Sequence, residues 1–345
     1  MIPIPTATTR PLRLGSSIGS LLACLVCLVA SPILADDEAL RWTTEAAEPD
    51  GTRLVTLDGE ATVFDRRLDR AWTAPEGATL GLPLADGSIV EVRLERSHVM
   101  PDSLAERFPT IRAFRGAVVD RPGWSVRAES TPSGFRAQLA RPDGETLFLT
   151  PRPAESSAST KGAFRLAPRS TFDREPFHCG VAGQVTAAAL PEAARAEKLS
   201  IGPTIRTYRL AVAATGEYTR FHGGTVESGL AAIVTAVNRL NAIFRQDLAV
   251  RFALSPRNDE LVFTNPNTDP FTGDDLGAIL DENLELLDST LGAGAYDLGH
   301  VFHNGGGGVA ALGSVCTVFK AAGVSGIGRP IGDPFVAEYV AHEIG

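Results

Sequence analysis

The hydrophobic pattern of residues 204–345 alternates between strands and helices, and this alternation restricts the fold more than any other feature of the chain. Short apolar runs at residues 205–213, 248–252 and 298–302 predict three strands. Two amphipathic helices are predicted between them, with apolar residues at helical spacing at Leu230, Ile233, Val234, Val237, Leu240 and Phe244 in the first, and at Leu276, Ile279, Leu280, Leu284, Leu287 and Leu291 in the second. Strands that alternate with helices predict an α/β layer with a largely parallel sheet.

Residues 40–150 have a different pattern, in which apolar and polar residues alternate with the period of two that is typical of strands. Residues 88–95 alternate after the hairpin signal Asp86-Gly87. Three further runs, separated by turn residues, place apolar side chains at Trp124, Val126 and Ala128, at Phe135, Ala137 and Leu139, and at Leu147 and Leu149. This region is therefore predicted to be β-rich, with a half-buried three-stranded meander.

Residues 151–203 lose this alternation and are rich in Pro, Ala, Ser and Arg. Such a composition predicts a linker. A single cysteine, Cys179, lies within it, in the stretch 177–181.

The amino terminus has the features of a secretory signal peptide. Arg10 and Arg13 precede an apolar run at residues 18–30, and Ala35 stands before the acidic Asp36. We expect cleavage after Ala35, so that the protein is secreted. The run is too short for a membrane span, and no other stretch predicts one in the mature chain.

Charge and cysteine content restrict the partners and the chemistry. The formal net charge is −9 and no basic patch is visible, which argues against nucleic acid and anionic membranes as partners. Of the four cysteines, Cys179 and Cys316 remain after loss of the signal peptide. They either pair with each other, as in many exported domains, or have separate roles.

The last residues, His342-Glu343-Ile344-Gly345, end a run at 338–345 that predicts a helix. In a helical His-Glu-x-x-His pair, two imidazoles one turn apart hold one zinc ion and the Glu accepts a proton from the bound water. Here the second His would follow Gly345. Taken alone, the dipeptide also fits a helix end with two polar residues facing water.

Residues 204–345 are similar to the catalytic domain of reprolysin-type (adamalysin-like) zinc metalloproteases, which belong to the metzincins. The order of predicted elements is that of the family. Residues 308–316 resemble its substrate edge strand and the Cys that follows, and residues 340–345 resemble the start of its His-Glu-x-x-His-x-x-Gly-x-x-His helix. The resemblance implies part of a metzincin-like α/β catalytic domain.

Two features upstream resemble the same family. Cys179-Gly180-Val181 matches the cysteine switch of its proproteins, in which a thiolate caps the zinc. Residues 114–149 are similar, more loosely, to its β-rich prodomain. The implied organisation is a signal peptide (1–35), a prodomain (36–150), a linker with the switch (151–203) and the first part of the catalytic domain (204–345).

The resemblance implies a secreted zinc metalloendopeptidase, made as a zymogen, that hydrolyses protein or peptide substrates. His342 would be a zinc ligand, Glu343 the general base, and Cys179 an inhibitory ligand in the precursor. The backbone of Gly308, Val309, Ala310, Ala311 and Leu312 would pair with the substrate as an added strand.

The remaining zinc ligands of the family pattern would lie beyond Gly345, so a chain of these residues is expected to be an inactive fragment of a longer product. His300 and His303 are expected to be structural rather than substitute ligands. A thermolysin-like zinc protease and a secreted β-rich binding or adhesion protein without enzymatic activity remain alternatives. The codons that follow Gly345 would discriminate among the three.

Overall fold

The computed structural model describes residues 40–58, 61–152, 162–172, 204–273 and 275–345. The predicted signal peptide and the switch cysteine Cys179 lie outside these residues. The described residues from 40 onward belong to one compact unit. Within it, the strands form two sheets.

The first sheet is wholly antiparallel. Its strands are β1 (Arg41–Thr44), β2 (Arg53–Asp58), β3 (Ala78–Pro83), β4 (Ile89–Arg96), β5 (Arg112–Val118), β6 (Ser125–Thr131), β7 (Gly134–Ala140), β8 (Thr146–Pro151) and β9 (Ala163–Pro168). They are ordered β1-β2-β9-β8-β7-β6-β5-β4-β3. The Trp42 indole on one edge strand donates to the Gly81 carbonyl on the other at 2.9 Å. The sheet is therefore curved until its two edges meet.

The predicted meander is confirmed as β6, β7 and β8, which pair in sequence. The strand predicted at 88–95 is confirmed as β4, where Val90, Val92 and Leu94 are buried. A helix not predicted from the sequence, α1 (Ala61–Thr73), packs Phe64 and Leu68 into the core of this sheet. A second short helix, α2 (Asp102–Arg107), follows β4.

The first sheet extends beyond the boundary predicted at residue 150. Strand β9 lies within the range predicted as linker, yet it pairs with β2 on one side and β8 on the other. The linker interpretation is therefore wrong for residues 163–168. The physical reason is that Phe164 and Leu166 point into the core and are 7% and 1% exposed. Burial of these side chains stabilises the strand, although the segment is short and flanked by prolines.

The second sheet has the largely parallel arrangement that the alternation predicted. Its strands are β10 (Arg206–Ala214), β11 (Val250–Leu254), β12 (Leu298–His303), β13 (Gly307–Ala310) and β14 (Gly323–Gly326), in the order β11-β10-β12-β14-β13. The pairs β10·β11, β10·β12 and β12·β14 are parallel. Strand β13 is antiparallel to β14 and forms one edge.

Three helices accompany this sheet: α3 (Gly216–Phe221), α4 (Val226–Asp247) and α5 (Leu276–Thr290). A capping box between Thr225 and Ser228 begins α4. The Asp275 carboxylate begins α5 by accepting from two backbone amides of its first turn. Both predicted amphipathic helices are thus confirmed.

Helix α4 lies between the two sheets. On one side Asn241 accepts from and donates to the backbone of Phe252 on β11. On the other side the Asn238 amide donates to the Phe114 carbonyl on β5 and to Glu129 on β6. This helix consequently belongs to the core of both layers.

The last helical segment consists of α6 (Gly332–Phe335), a π-helical turn at Val336–Val340 and α7 (Ala341–Ile344). Within the described ranges, no helix is both long and apolar enough to cross a membrane.

Candidate functional site

The last helical segment is held in position because its apolar face packs into the core. Phe335, Val336, Tyr339 and Val340 are buried in the core that this segment shares with α4 and β12. A π-helical turn widens the helix just before His342 and Glu343, and such turns occur often at functional sites. The helix predicted over 338–345 is therefore present, with this local change of pitch.

Glu343 is the buried acid of this segment. Its side chain is 9% exposed, and its Oε1 atom is buried with no hydrogen-bond partner in the described part of the chain. Burial raises the pKa of Glu343 to about 7. A carboxyl group with a pKa near neutrality can both accept and return a proton at physiological pH.

The edge strand β13 provides the wall against which Glu343 lies. A β-carbon added to Gly308 would stand 2.5 Å from Glu343 Oε1 and 2.8 Å from its Cγ. Such contacts are too short to coexist, so any side chain at 308 would force the Glu343 carboxylate to move. The structure thus brings together two residues that the sequence placed in separate motifs, Gly308 and Glu343.

The free side of β13 is determined by its pairing with β14. The Ala311 amide donates to the Ala322 carbonyl at 2.9 Å, which makes this a hydrogen-bonded pair. Because hydrogen-bonded and non-hydrogen-bonded pairs alternate in an antiparallel ladder, Val309 pairs with β14 in the same way. The backbone groups of Gly308 and Ala310 therefore point away from β14, towards the open edge.

The predicted substrate edge extends only partly into regular structure. Gly308, Val309 and Ala310 belong to β13, whereas Ala311 continues the pairing beyond its end. Leu312 follows in a turn and is 74% exposed. Leu312 is thus not part of the strand, because Gly313, with a φ of 65°, reverses the chain there.

His342 precedes Glu343 on α7 and is exposed. Across the described ranges, no three His, Cys, Asp or Glu side chains lie close enough together to hold a metal ion. These residues therefore fit one part of a metal site, an accessible imidazole beside a buried carboxylate, and do not complete it. Cys179, the predicted inhibitory ligand, lies outside the described residues, and Cys316 is a free, exposed thiol.

The two histidines of β12 are placed in the core. His300 is 1% exposed and shares a hydrogen bond of 2.9 Å with the Ser325 hydroxyl. Burial lowers its pKa to about 3, so its imidazole is neutral. His303 is 3% exposed and lies against the backbone of Gly305 and Gly326. These positions agree with the expected structural role.

The sequence did not reveal the contact with Glu343 that distinguishes Gly308 from the neighbouring glycines. The run of glycines at 305–308 was the available signal, but the run alone does not indicate which glycine faces another side chain. Gly306 has no neighbour within 4 Å of an added β-carbon, whereas Gly308 contacts Glu343. The difference becomes visible once β13 and α7 are placed side by side.

Comparison with known proteins gives one match for this part of the chain. Residues 204–345 match the family described as Metallo-peptidase family M12B Reprolysin-like. A search of curated proteins finds no match. The family match covers the second sheet, the edge strand and the segment that carries His342 and Glu343, and it favours the reprolysin interpretation over the thermolysin-like and adhesion alternatives. Over residues 204–345 the chain is therefore similar to the reprolysin-like metallopeptidases of family M12B.

Proposed function

We propose that the chain is the precursor of a secreted zinc metalloendopeptidase in which Glu343 is the general base. The family supplies the coarser part of this proposal, a metallopeptidase that acts on protein or peptide substrates. The observation that carries the finer part is the Glu343 carboxylate, which is buried against Gly308 at the sheet edge with Oε1 unpartnered in the described structure.

His342 would be one of the residues that hold zinc. An exposed imidazole on a helix is a suitable first ligand, and zinc enzymes usually use three protein ligands. When bound, zinc would supply electrophilic polarisation of the substrate carbonyl and of water. Residues 1–345 alone offer one imidazole of the motif, so a chain limited to them is expected to hold zinc weakly and to be inactive.

Glu343 would handle the proton of the hydrolysis. With a pKa near neutrality, its carboxylate can accept a proton from the attacking water at Oε1 and return it to the nitrogen of the departing amine. The burial that raises its pKa also limits contact with bulk water, so the proton stays within reach of the leaving group.

The free edge of β13 would position the substrate. Backbone amide and carbonyl groups of Gly308 and Ala310 point to this edge and can pair with an extended peptide, which places its scissile bond next to Glu343. Backbone pairing gives affinity without demanding particular side chains, which suits cleavage of unstructured protein segments.

The precursor and secretion assignments rest on sequence. The signal peptide at 1–35 supports export, and Cys179-Gly180-Val181 supports inhibition of the precursor by a thiolate. Replacing Cys179 by Ala should raise peptidase activity before the prodomain is removed, and a mercurial should do the same to the wild-type precursor. A precursor whose activity is unchanged by both treatments would disprove the switch.

The general-base assignment is tested with Glu343→Gln in the processed enzyme. This change keeps size and removes the base, so kcat should fall by about 10²- to 10⁴-fold while zinc content stays near normal. His342→Ala should lose zinc as well as activity. Glu285→Gln, on the exposed face of α5, is the matched control and should change neither.

Two results would contradict the proposal. Unchanged hydrolysis of an unfolded protein by the Glu343→Gln enzyme would mean that another group is the base. Loss of zinc in the same variant would mean that the carboxylate is a ligand instead.

A further inference from the structure

A cavity of about 690 Å³ lies between the first sheet and the helices of the second, and its lining includes none of Gly308, His342 and Glu343. Residues from β6, β7, β8 and β9 form one wall, and residues of α3, α4 and α6 form the other. Its size is within the range of sites that bind small molecules. Neither the family nor the proposed hydrolysis assigns a role to it.

The charged side chains that line this cavity are all cationic. Arg136, Arg165 and Arg239 contribute to its walls, and no Asp or Glu is among the described residues that line it. This is unusual in a chain whose net charge is −9. Arg165 already has partners, since its guanidinium donates to Thr52 Oγ1 at 3.0 Å and lies 3.6 Å from Asp50.

Arg239 is the group that most requires an anion. Its side chain extends from α4, is 6% exposed and has a buried Nε with no hydrogen-bond partner in the described structure. Its guanidinium lies over the ring of Phe148, 5.2 Å from the centroid. The Nε–H group is therefore removed from water without an acceptor, and an anion in the cavity could accept a hydrogen bond from this guanidinium.

The nearest carboxylates do not supply that anion. Glu129 accepts a hydrogen bond of 2.6 Å from Asn238, and Asp333 lies 3.3 Å from Arg169. Neither forms a salt bridge with Arg239 within the described residues, although the charge of Arg239 lowers the pKa of both carboxyl groups against the larger effect of their burial.

Arg136 is similarly placed on the opposite wall. Its guanidinium donates to the Ser133 hydroxyl at 2.9 Å and more weakly to Thr131 Oγ1 at 3.4 Å, which are neutral oxygens. Within the described residues, Arg136 and Arg239 therefore line one cavity without a carboxylate at ion-pair distance from either. The buried Glu129 carboxylate favours the charge of Arg136 and the charge of Arg239 opposes it, so an anion in the cavity would add to the effect of Glu129 and offset the repulsion between the two guanidinium groups.

The rest of the cavity is suited to an apolar body. Aromatic side chains from both walls line it, namely Phe148, Phe172, Tyr218, Phe221 and Phe335. The His222 imidazole is neutral because burial, with the charge of Arg136, lowers its pKa to about 4, and its buried Nε2 has no hydrogen-bond partner in the described part of the chain. It offers a further polar contact without adding charge.

We propose that this cavity binds a small organic monocarboxylate, whose carboxylate is held by Arg239 and Arg136 and whose hydrocarbon body lies between Phe148, Tyr218 and Phe335. Guanidinium groups recognise carboxylates through paired hydrogen bonds, and aromatic walls bind the body. Since one wall comes from the first sheet and the other from the helices that accompany the second, the ligand binds to the assembled unit and stabilises it. Phe335 is also part of the segment that leads to His342.

Binding is measured by calorimetry and by the shift of the thermal unfolding temperature, with 4-phenylbutyrate as the probe and 4-phenylbutanol as its uncharged counterpart. We expect one site per chain for the carboxylate, a raised Tm, and affinity for the alcohol at least about tenfold lower, since hydrogen bonds to a charged group are worth roughly 1.5–3 kcal/mol. Arg239→Gln should lower the affinity for 4-phenylbutyrate by a similar factor. Arg257→Gln, which changes an exposed arginine paired with Glu260, is the matched control.

A second variant keeps the test interpretable if Arg239→Gln fails to fold. Ala232→Phe places a large side chain in the cavity from α4 and keeps all the arginines. It should abolish binding, and it should lower the Tm of the free protein less than Arg239→Gln does. The proposal is overturned if the carboxylate does not bind, if the alcohol binds equally well, or if Arg239→Gln and Ala232→Phe both bind like the wild type.

Discussion

At the scale of single residues, the absence of a side chain at Gly308 decides where a carboxylate can lie. Glu343 Oε1 occupies the space that a β-carbon on Gly308 would need, at 2.5 Å from it. An alanine at 308 can be accommodated only by moving Glu343 or by separating α7 from β13. Because the carboxylate is at the end of a flexible side chain, displacement of Glu343 is the smaller change.

We therefore expect Gly308→Ala to lower kcat strongly and to lower the free energy of unfolding only slightly. Misplacement of a reacting group by about 1 Å can cost about 10²-fold in rate, and zinc content should be retained because Gly308 is not a ligand. The matched control is Gly306→Ala, since an added β-carbon there meets nothing within 4 Å. Steady-state kinetics, metal analysis and circular dichroism of both variants make the comparison. Equal activities in the two variants would show that Gly308 does not position Glu343.

The neighbourhood of Gly323 illustrates the same point in the core. A β-carbon there would stand 2.6 Å from His300 Nδ1, whereas the hydrogen bond with Ser325 is made by the other ring nitrogen, Nε2. The glycine thus leaves room for a buried imidazole. Glycines in this part of the chain leave space beside particular side chains, which sequence alone does not reveal.

At the scale of elements, local periodicity was sufficient to predict most of residues 204–345. The apolar residues of α4 and α5 recur at helical spacing, and the strands are short runs with turn residues between them. The parallel pairing follows, because each crossover returns the chain to the same end of the sheet. The order of the strands and the antiparallel edge β13 depend on tertiary packing, which local periodicity does not encode.

Two elements of the first sheet escaped prediction for different reasons. Helix α1 buries Val63, Phe64, Leu68 and Ala71, which recur at helical spacing, so a signal is present but stands in a region dominated by alternation. Strand β9 is a different case. It lies among prolines in a segment with little periodicity, and its pairing with β2 and β8 is set by the sheet.

The candidate site was predicted in its residues but not in its arrangement. His342 and Glu343 form a local motif, and the edge strand at 308–312 was expected from the resemblance of residues 308–316 to the family. The contact of Gly308 with Glu343 depends on how α7 packs against β13. The cationic cavity was not predicted at all, because Arg136 and Arg239 belong to different layers and neither stands in a basic run.

At the scale of the whole molecule, helix α4 couples the two sheets through buried polar contacts. The Asn238 amide donates to two backbone carbonyls of the first sheet and to Glu129, which is 1% exposed. One apolar core also contains residues from both parts of the chain, among them Ile111 and Leu230. We infer that residues 40–345 unfold as a coupled unit, since separating the layers would expose these groups.

The stability of this unit should depend on pH through groups whose pKa values differ between the folded and unfolded states. Burial lowers the pKa of His222 from 6.5 to about 4 and that of His300 from 6.5 to about 3. Their contributions are fully present above pH 6.5 and are lost as the pH falls towards these folded values, because the unfolded chain then binds more protons. Glu343 acts in the opposite direction, since its folded pKa of about 7 exceeds its unfolded value of 4.5.

Because these effects oppose one another, the wild-type profile alone does not isolate a histidine, and a variant is needed. His222 is the C-cap residue of α3, and His222→Asn removes the imidazole while keeping a polar side chain of smaller size. Lowering the pH from about 7.5 to about 5 should then reduce the urea midpoint less in the variant than in the wild type, because one proton-binding site of the unfolded chain is gone. Equal decreases in both proteins would mean that His222 is as easily protonated in the folded state as in the unfolded state. Its ring would then be accessible to water rather than enclosed between Tyr218 and the cationic cavity, and the polar contact assigned to it there would have to be withdrawn.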